Sequence, residues 1–245
     1  MRIVNCTWEF FNLDKRVVEI SFDTDENVEM DYMQSFEQEY DYIVVKTQVC
    51  NPGLYRTLAN LGYYFIENQI SVTKTSFNIS QSENSKKYFD LLASMSLIKV
   101  SSNVSLQKVL TSMTESMFIT DRIYLDEVFG AQYSIRRYRN WTQSEYEKGT
   151  LLYEIQYKND KIGFILFKLK EGVMDVLLWG LYESYQKKGL GDVIPLAVYY
   201  IDMKIEKLKE FQTKVSSNNR GIIGKLNNLG FRFSHFEYVF VKHLN

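Results

Sequence analysis

The stretch Asn51–Leu54–Leu58–Asn60–Leu61–Gly62–Tyr63–Phe65 returns 168 residues later as Asn219–Ile222–Leu226–Asn228–Leu229–Gly230–Phe231–Phe233. Each copy reads as a capped helix: an asparagine N-cap, apolar residues three and four apart, and a glycine that stops the helix before an aromatic strand. The shared cap, stripe phase and aromatic follow-on argue for an ancient duplication. Two copies do not make a solenoid; they imply two related lobes sharing one sheet or one interface. The chain is therefore expected to be an α/β (α+β) protein, with a mixed central sheet flanked by helices. Its lobes should span residues 1–100 and 101–245.

Around the repeat, hydropathy predicts short strands. Val4, Cys6, Trp8 and Phe10 alternate as a half-buried strand should, and 17–22 and 42–48 are further candidates. Pro52 falls at the first helical position behind Asn51, and 63–73 returns as a strand. The polar stretch 76–87 reads as a loop, and Leu106, Val109, Leu110, Met113 and Met117 mark an amphipathic helix. Strands are expected near 118–125, 151–157, 161–169 and 173–181, with a helix in the Trp/Tyr/Arg-rich segment at 133–141. A helix over 188–209, a strand at 212–216, a helix at 219–229 and a long alternating strand at 231–241 complete the second half.

Charge and composition exclude several classes. Lys+Arg 29 against Asp+Glu 30 leaves a net charge of -1, so no basic field draws the chain to nucleic acid or anionic lipid. A hydrophobic content of 45% excludes collagen-like and disordered chains. With 2 His, a His-rich metal site is not expected. Cys6 and Cys50 read as buried apolar fillers rather than as a disulfide. The longest apolar run near a helix, 193–201, is about half a membrane span. The start MRIVNCTWEFF lacks a small-residue cleavage site, so the sequons at Asn5, Asn78, Asn103 and Asn140 carry no meaning as glycan acceptors. A cytoplasmic protein is expected, free of membrane and nucleic acid and able to form a homodimer.

The segment that carries chemistry is WGLYESYQKKGLGD, Trp179 to Asp192. A strand runs through a short turn, Gln186–Lys187–Lys188–Gly189–Leu190–Gly191, straight into a long helix. Backbone N–H groups at such a helix start converge on one point and favour an anion. Gly189 and Gly191 remove Cβ atoms that would hold a pyrophosphate away, and the two lysines add positive charge. The spacing departs from the dinucleotide Gly-x-Gly-x-x-Gly and from the Walker loop. A glycine-containing turn with a purely structural cap is the bland alternative.

Gln-x-x-Gly-x-Gly after a strand, followed by a strand ending in Asn219, a helix and Leu-Gly-Phe, resembles the GNAT acyltransferase superfamily over residues 118–242. The resemblance implies two GNAT-like lobes, the N-terminal one a degenerate half-copy. It implies that Gln186, Lys187, Lys188, Gly189, Leu190, Gly191 and Asp192 hold the pyrophosphate of an acyl-CoA. Backbone at Trp179 and Leu181 would pair with pantetheine, and Asn219 would contact that arm. A second run, Thr120–Asp121–Arg122–Ile123–Tyr124–Leu125–Asp126 followed by Tyr138 and Trp141, resembles TDP-fucosamine acetyltransferase and its relatives. Those enzymes carry an N-terminal strand–helix–Gly–aromatic–strand–Glu unit like 58–67. This narrower resemblance implies N-acylation of a dTDP-linked aminodideoxy sugar, with acetyl-CoA or 3-hydroxybutyryl-CoA as donor, and makes Tyr138 and Trp141 candidate substrate contacts. Helix–sheet packing is the alternative for both.

One departure bears on catalysis. Many GNAT enzymes carry a tyrosine acid seven positions after the asparagine; here Leu226 stands there, and the repeat places Leu58 at the matching site, which favours packing. Candidates for proton transfer are then Asp175, Tyr182, Tyr185, His235, Glu237 and Tyr238. An amino acid or other small amine as acceptor, or an acyl-CoA-binding module without turnover, are the alternative readings.

Overall fold

In the computed structural model, which describes residues 1–23, 30–82 and 84–244, both copies of the repeat form the same unit. Helix Pro52–Asn60 is capped by the Asn51 side chain, which accepts from the Leu54 N–H at 3.1 Å. Helix Arg220–Asn228 is capped by Asn219, which accepts from Ile222 N–H at 3.2 Å. Gly62 and Gly230 follow with φ of 82° and 69°, the left-handed turn that glycine enters without a Cβ clash.

The first hundred residues supply strands β1 (Arg2–Asn5), β2 (Val17–Phe22), β3 (Tyr42–Gln48), β4 (Tyr64–Lys74) and β5 (Met95–Lys99). They also supply helices α1 (Phe10–Leu13), α2 (Met30–Phe36), α3 (Pro52–Asn60) and α4 (Ser85–Ala93). The remainder adds α5 (Asn103–Ser112), α6 (Arg122–Leu125), α7 (Gly130–Glu147), α8 (Val193–Lys204) and α9 (Arg220–Asn228). Its strands are β6 (Leu151–Tyr157), β7 (Asp160–Lys170), β8 (Val173–Leu181), β9 (Glu210–Ser216) and β10 (Arg232–His243).

All ten strands form one mixed sheet in the order β1-β2-β3-β10-β4-β9-β8-β7-β6-β5. The last strand thus lies between β3 and β4, and β5 pairs with β6 at the far edge. The duplication is written into the register. Glu237 faces Gln48, and its repeat equivalent Gln69 faces Ser216, the equivalent of Gln48. Between the two halves, Arg232 faces Thr73 while Val241 faces Tyr64, so β10 and β4 pair as images of one another about a local two-fold. The halves have exchanged their final strands, which is why two lobes share a single sheet.

One face of the sheet is sealed by α4, α8 and α9 over β4, β8 and β9, and by α2 and α3 over β2 and β3. On the opposite face, α5 and α7 cover β6 and β7, and Leu13, Ile123 and Phe129 cover β3 and β10. Between these two apolar clusters the second face carries a polar stripe: Glu19, Lys46, Glu67, Gln69 and Asp175 alternate with core residues of their strands.

Several sequence expectations are corrected. Only Val4 of the alternating N-terminal run lies in a strand; Thr7–Glu9 is a 3-10 turn leading into α1, with Glu9 buried and Trp8 and Phe10 more than half exposed. The segment 118–125 is not a strand, because Asp121 caps α6 by accepting from Ile123 N–H at 3.0 Å. Within the expected loop 76–87, Ser85–Lys87 open α4, whose buried stripe of Tyr88, Leu91 and Leu92 lies beyond the polar run; position 83 lies outside the described residues. The helix expected over 188–209 ends at Lys204. Both cysteines are free; Cys6 is buried, whereas Cys50 is exposed.

A close approach fixes the end of β8. A Cβ on Gly163 would sit 2.3 Å from the Gly180 carbonyl oxygen of the neighbouring strand. That is backbone against backbone, so Gly163→Ala is expected to destabilise the protein by about 1–3 kcal/mol in a urea titration.

Candidate functional site

The strand pair that opens the site is β8 and β9. They run parallel from Val173/Glu210 to Val176/Thr213 and then separate, although β8 continues to Leu181 and β9 to Ser216. A bulge is the cause: β8 pairs Leu178 with Leu166 and Val176 with Phe167 on β7, leaving Leu177 unmatched. A bulge bends its strand and re-aims it. At the branch point the Thr213 hydroxyl donates to the Val176 carbonyl at 2.8 Å. The corresponding pair in the first lobe, β2 and β3, stays matched to Phe22/Thr47, so no fork forms there among the described residues.

The fork opens onto a cavity of about 610 Å³ under α7. Its walls are charged, and most of those charges are matched. Arg137 donates to Glu9 at 2.7 Å, and Asn12 steadies the same carboxylate at 3.1 Å. Lys46 pairs with Glu19 at 2.9 Å, and Lys214 with Glu237 at 2.5 Å. Asp121 is engaged by Ile123 N–H, the Ser134 hydroxyl and the Tyr138 hydroxyl at 3.0, 3.2 and 2.8 Å.

Two charged groups stand apart. Glu67 is 3% exposed and forms no ion pair among the described residues; the Gln69 amide donates to it at 3.3 Å. Burial pushes its carboxyl above the ordinary range, and the opposing pull of the Arg122 charge does not restore it. Arg122, 7% exposed, makes no side-chain hydrogen bond or ion pair among the described residues, and its buried Nε has no partner. Asp175 also lines the cavity, its carboxyl raised by burial.

The sequence candidates divide as follows. Trp179, Asn219, Tyr138, Trp141 and Asp175 all line the cavity. The Tyr138 ring stacks on Phe118 at 4.1 Å and its hydroxyl is held by Asp121, so both its face and its tip are occupied. Tyr182 is buried at a separate groove beside Tyr185 and Glu154. His235 sits exposed at a bulge in β10 with φ of 45°, and Tyr238 packs against Tyr55 on the opposite sheet face. Neither reaches the cavity. Glu237 is paired to Lys214. Leu226 is fully buried in the core, as its repeat partner Leu58 is.

The turn 186–192 follows β8. Lys187 and Gly189 both take left-handed backbone angles, φ 58° and 78°, which fold the chain back before α8. The Gln186 amide donates to the Leu181 carbonyl at 3.2 Å and closes the turn. No atom lies within 4 Å of the place a Gly189 Cβ would take. Lys188 reaches over the Tyr185 ring at 5.3 Å. Leu190 packs against the main core. Asp192 is internal: Lys87 and Lys225 pair with its buried carboxylate at 2.5 and 3.0 Å, and these cations draw its pKa down against the opposing effect of burial. Helix α9 links turn and cavity, with Asn219 and Ile222 on the cavity wall and Lys225 on Asp192.

Glu67, Arg122 and Arg137 were not singled out as site residues by sequence reasoning. The signal available was the Thr120–Asp121–Arg122 run, read there only as part of a family pattern. Among the described residues no group of His, Cys, Asp and Glu is placed to hold a metal, and no helix is long and apolar enough to cross a membrane.

No protein-family model and no curated protein matches the sequence. Solved structures do match. A functionally unknown conserved protein from Staphylococcus epidermidis aligns over 94% of this chain and 84% of its own, at 12% identity and TM-score 0.60. A GCN5-related N-acetyltransferase from Kribbella flavida aligns over 92% and 80%, at 13% identity and TM-score 0.53. A tandem GNAT protein from the clavulanic acid biosynthesis pathway aligns over 87% and 68%, at 12% identity and TM-score 0.51. With the exchanged strands and the forked β8–β9 pair, these likenesses identify the fold as a tandem GNAT-like one, two lobes built on a single mixed sheet.

Proposed function

We propose that the protein is an acyl-CoA-dependent N-acyltransferase. The observation that carries this reading is the fork between β8 and β9, whose unpaired β8 edge at 177–181 leads from a charged cavity to the Lys187–Gly191 turn. Backbone N–H and C=O groups left unpaired along such an edge suit an extended pantetheine arm, which would lie against it as an added strand. The turn and its lysines suit the pyrophosphate.

In the cavity, a neutral amine would attack the thioester carbonyl carbon, forming the C–N bond and an oxyanion. N–H groups of the free β8 edge are placed to receive that oxyanion. Collapse restores the carbonyl and breaks the C–S bond. The amine proton passes to the Glu67 carboxylate, and the departing thiolate takes a proton from solvent. Glu67 is preferred over Asp175 because it is the more buried of the two. The acceptor we propose is a dTDP-linked aminodideoxy sugar in the cytoplasm, with acetyl-CoA or 3-hydroxybutyryl-CoA as donor.

The burial of Leu226 favours one second reading, an acyl-CoA-binding module without turnover. Incubation with each donor, a panel of dTDP-amino sugars and amino acids, and a free-thiol assay separates the two. Thiol release with any amine supports the enzyme. CoA binding without release supports the module, and no CoA binding overturns both.

A further inference from the structure

Not every charged group at the cavity has a hydrogen-bonding or ion-pair partner among the described residues. Glu9, Glu19 and Glu237 each hold a cation, and Asp121 is used up by three donors within its own segment. Arg122, Glu67 and Asp175 remain; the first two are a buried guanidinium and a buried carboxylate on the cavity wall, with no ion pair between them. A buried charge without a partner is costly. A carboxyl can relieve that cost by taking a proton, but an arginine cannot lose one. Arg122 is thus a fixed positive charge inside the protein with its hydrogen-bonding fork unused. Its orientation is set locally: Asp121 caps the first turn of α6 and Ile123 anchors the helix in the core, which leaves Arg122 facing the cavity.

We propose that Arg122 is the docking point for an oxyanion carried by the acceptor, so that the acceptor is an anionic amine whose nitrogen faces Glu67. This rests on the acyltransferase reading above and adds to it the chemical class the cavity selects. The planar fork of arginine accepts a carboxylate or a phosphate through two parallel hydrogen bonds. A polyamine or a lysine side chain offers no oxyanion to fill that fork. A carboxylate next to the amine, as in an amino acid, and a phosphate, as in a nucleotide-linked amino sugar, supply the same contact.

The test uses acceptors in pairs that differ only in the anion: a free amino acid against its α-amide, and an amino-sugar 1-phosphate against the same sugar without the phosphate. Each is read as turnover and as binding to the CoA-loaded protein. The wild type is expected to favour the anionic member of one pair at least tenfold, and the responding pair tells carboxylate from phosphate. Arg122→Met is expected to erase that preference by raising KM for the anionic acceptor, with CoA affinity unchanged. Arg122→Lys, which keeps the charge and loses the fork, is expected to fall between and guards against misfolding of the first variant. Equal use of charged and neutral acceptors by a CoA-binding wild type overturns the role of Arg122 and leaves the acyltransferase reading intact. Survival of the preference in both variants overturns it as well. Loss of CoA binding in the wild type strikes the acyltransferase reading instead, and the paired acceptors are then read by binding to the free protein alone.

Discussion

Replacing Glu67 by glutamine is expected to lower kcat about 100- to 1,000-fold while CoA affinity stays unchanged, the range for loss of a positioned general base. Glutamine keeps the shape and the hydrogen bond with Gln69 but cannot take a proton from the amine. Because burial raises the Glu67 pKa, wild-type turnover should decline as pH falls through that raised value, and this acidic limb should be missing from the residual activity of the variant. Stability should move the other way. The folded protein holds the Glu67 proton more tightly than the unfolded chain, so wild-type stability falls as pH rises from the unfolded carboxyl pKa of about 4.5 to the folded one. The variant should therefore be at least as stable as wild type at pH 8, and should lose that advantage in acid. A variant that is less stable and equally active would assign Glu67 to structure.

Gly191→Trp is expected to weaken CoA binding by about 100-fold or more, measured by calorimetry on protein that retains a cooperative melting transition. The nearest atom to a Cβ at this position is the Lys225 Cε at 3.4 Å, the flexible end of a side chain, so the first atom of the new side chain fits. The indole would instead occupy the space in front of the α8 N-terminus, where an anion is to sit. Unchanged CoA affinity would sink the assignment of the turn, whatever the activity does.

The places where sequence and structure part are physically instructive. Trp8 and Phe10 alternate with polar neighbours, but their rings are exposed, and the buried residue between them is Glu9. Periodicity counts apolar side chains and so misses a segment whose inward residue is a carboxylate satisfied by Arg137, 128 residues away. The stretch 118–125 has the β-branched and aromatic content of a strand, yet the Asp121 cap decides for a helical turn. Tyr182, His235 and Tyr238 were credible proton carriers by type, and only their placement removes them from the cavity. In sequence Glu67 and Arg122 stand only as members of family patterns, because nothing there shows which charges lose their water.

By itself the sequence determined the two capped helices, their buried Leu58 and Leu226, the glycines that end them, and the turn before α8. These depend on residues within one or two helical turns of each other, where sequence spacing is spatial spacing. The tertiary structure alone decided that β10 lies between β3 and β4, that β8 leaves β9 after Val176, and that β2 and β3 stay paired to Phe22/Thr47. It also decided the company of Arg122 and Glu67. Each outcome depends on strand register and on which distant side chains share a desolvated space, and both are set when the two halves exchange strands to complete one sheet.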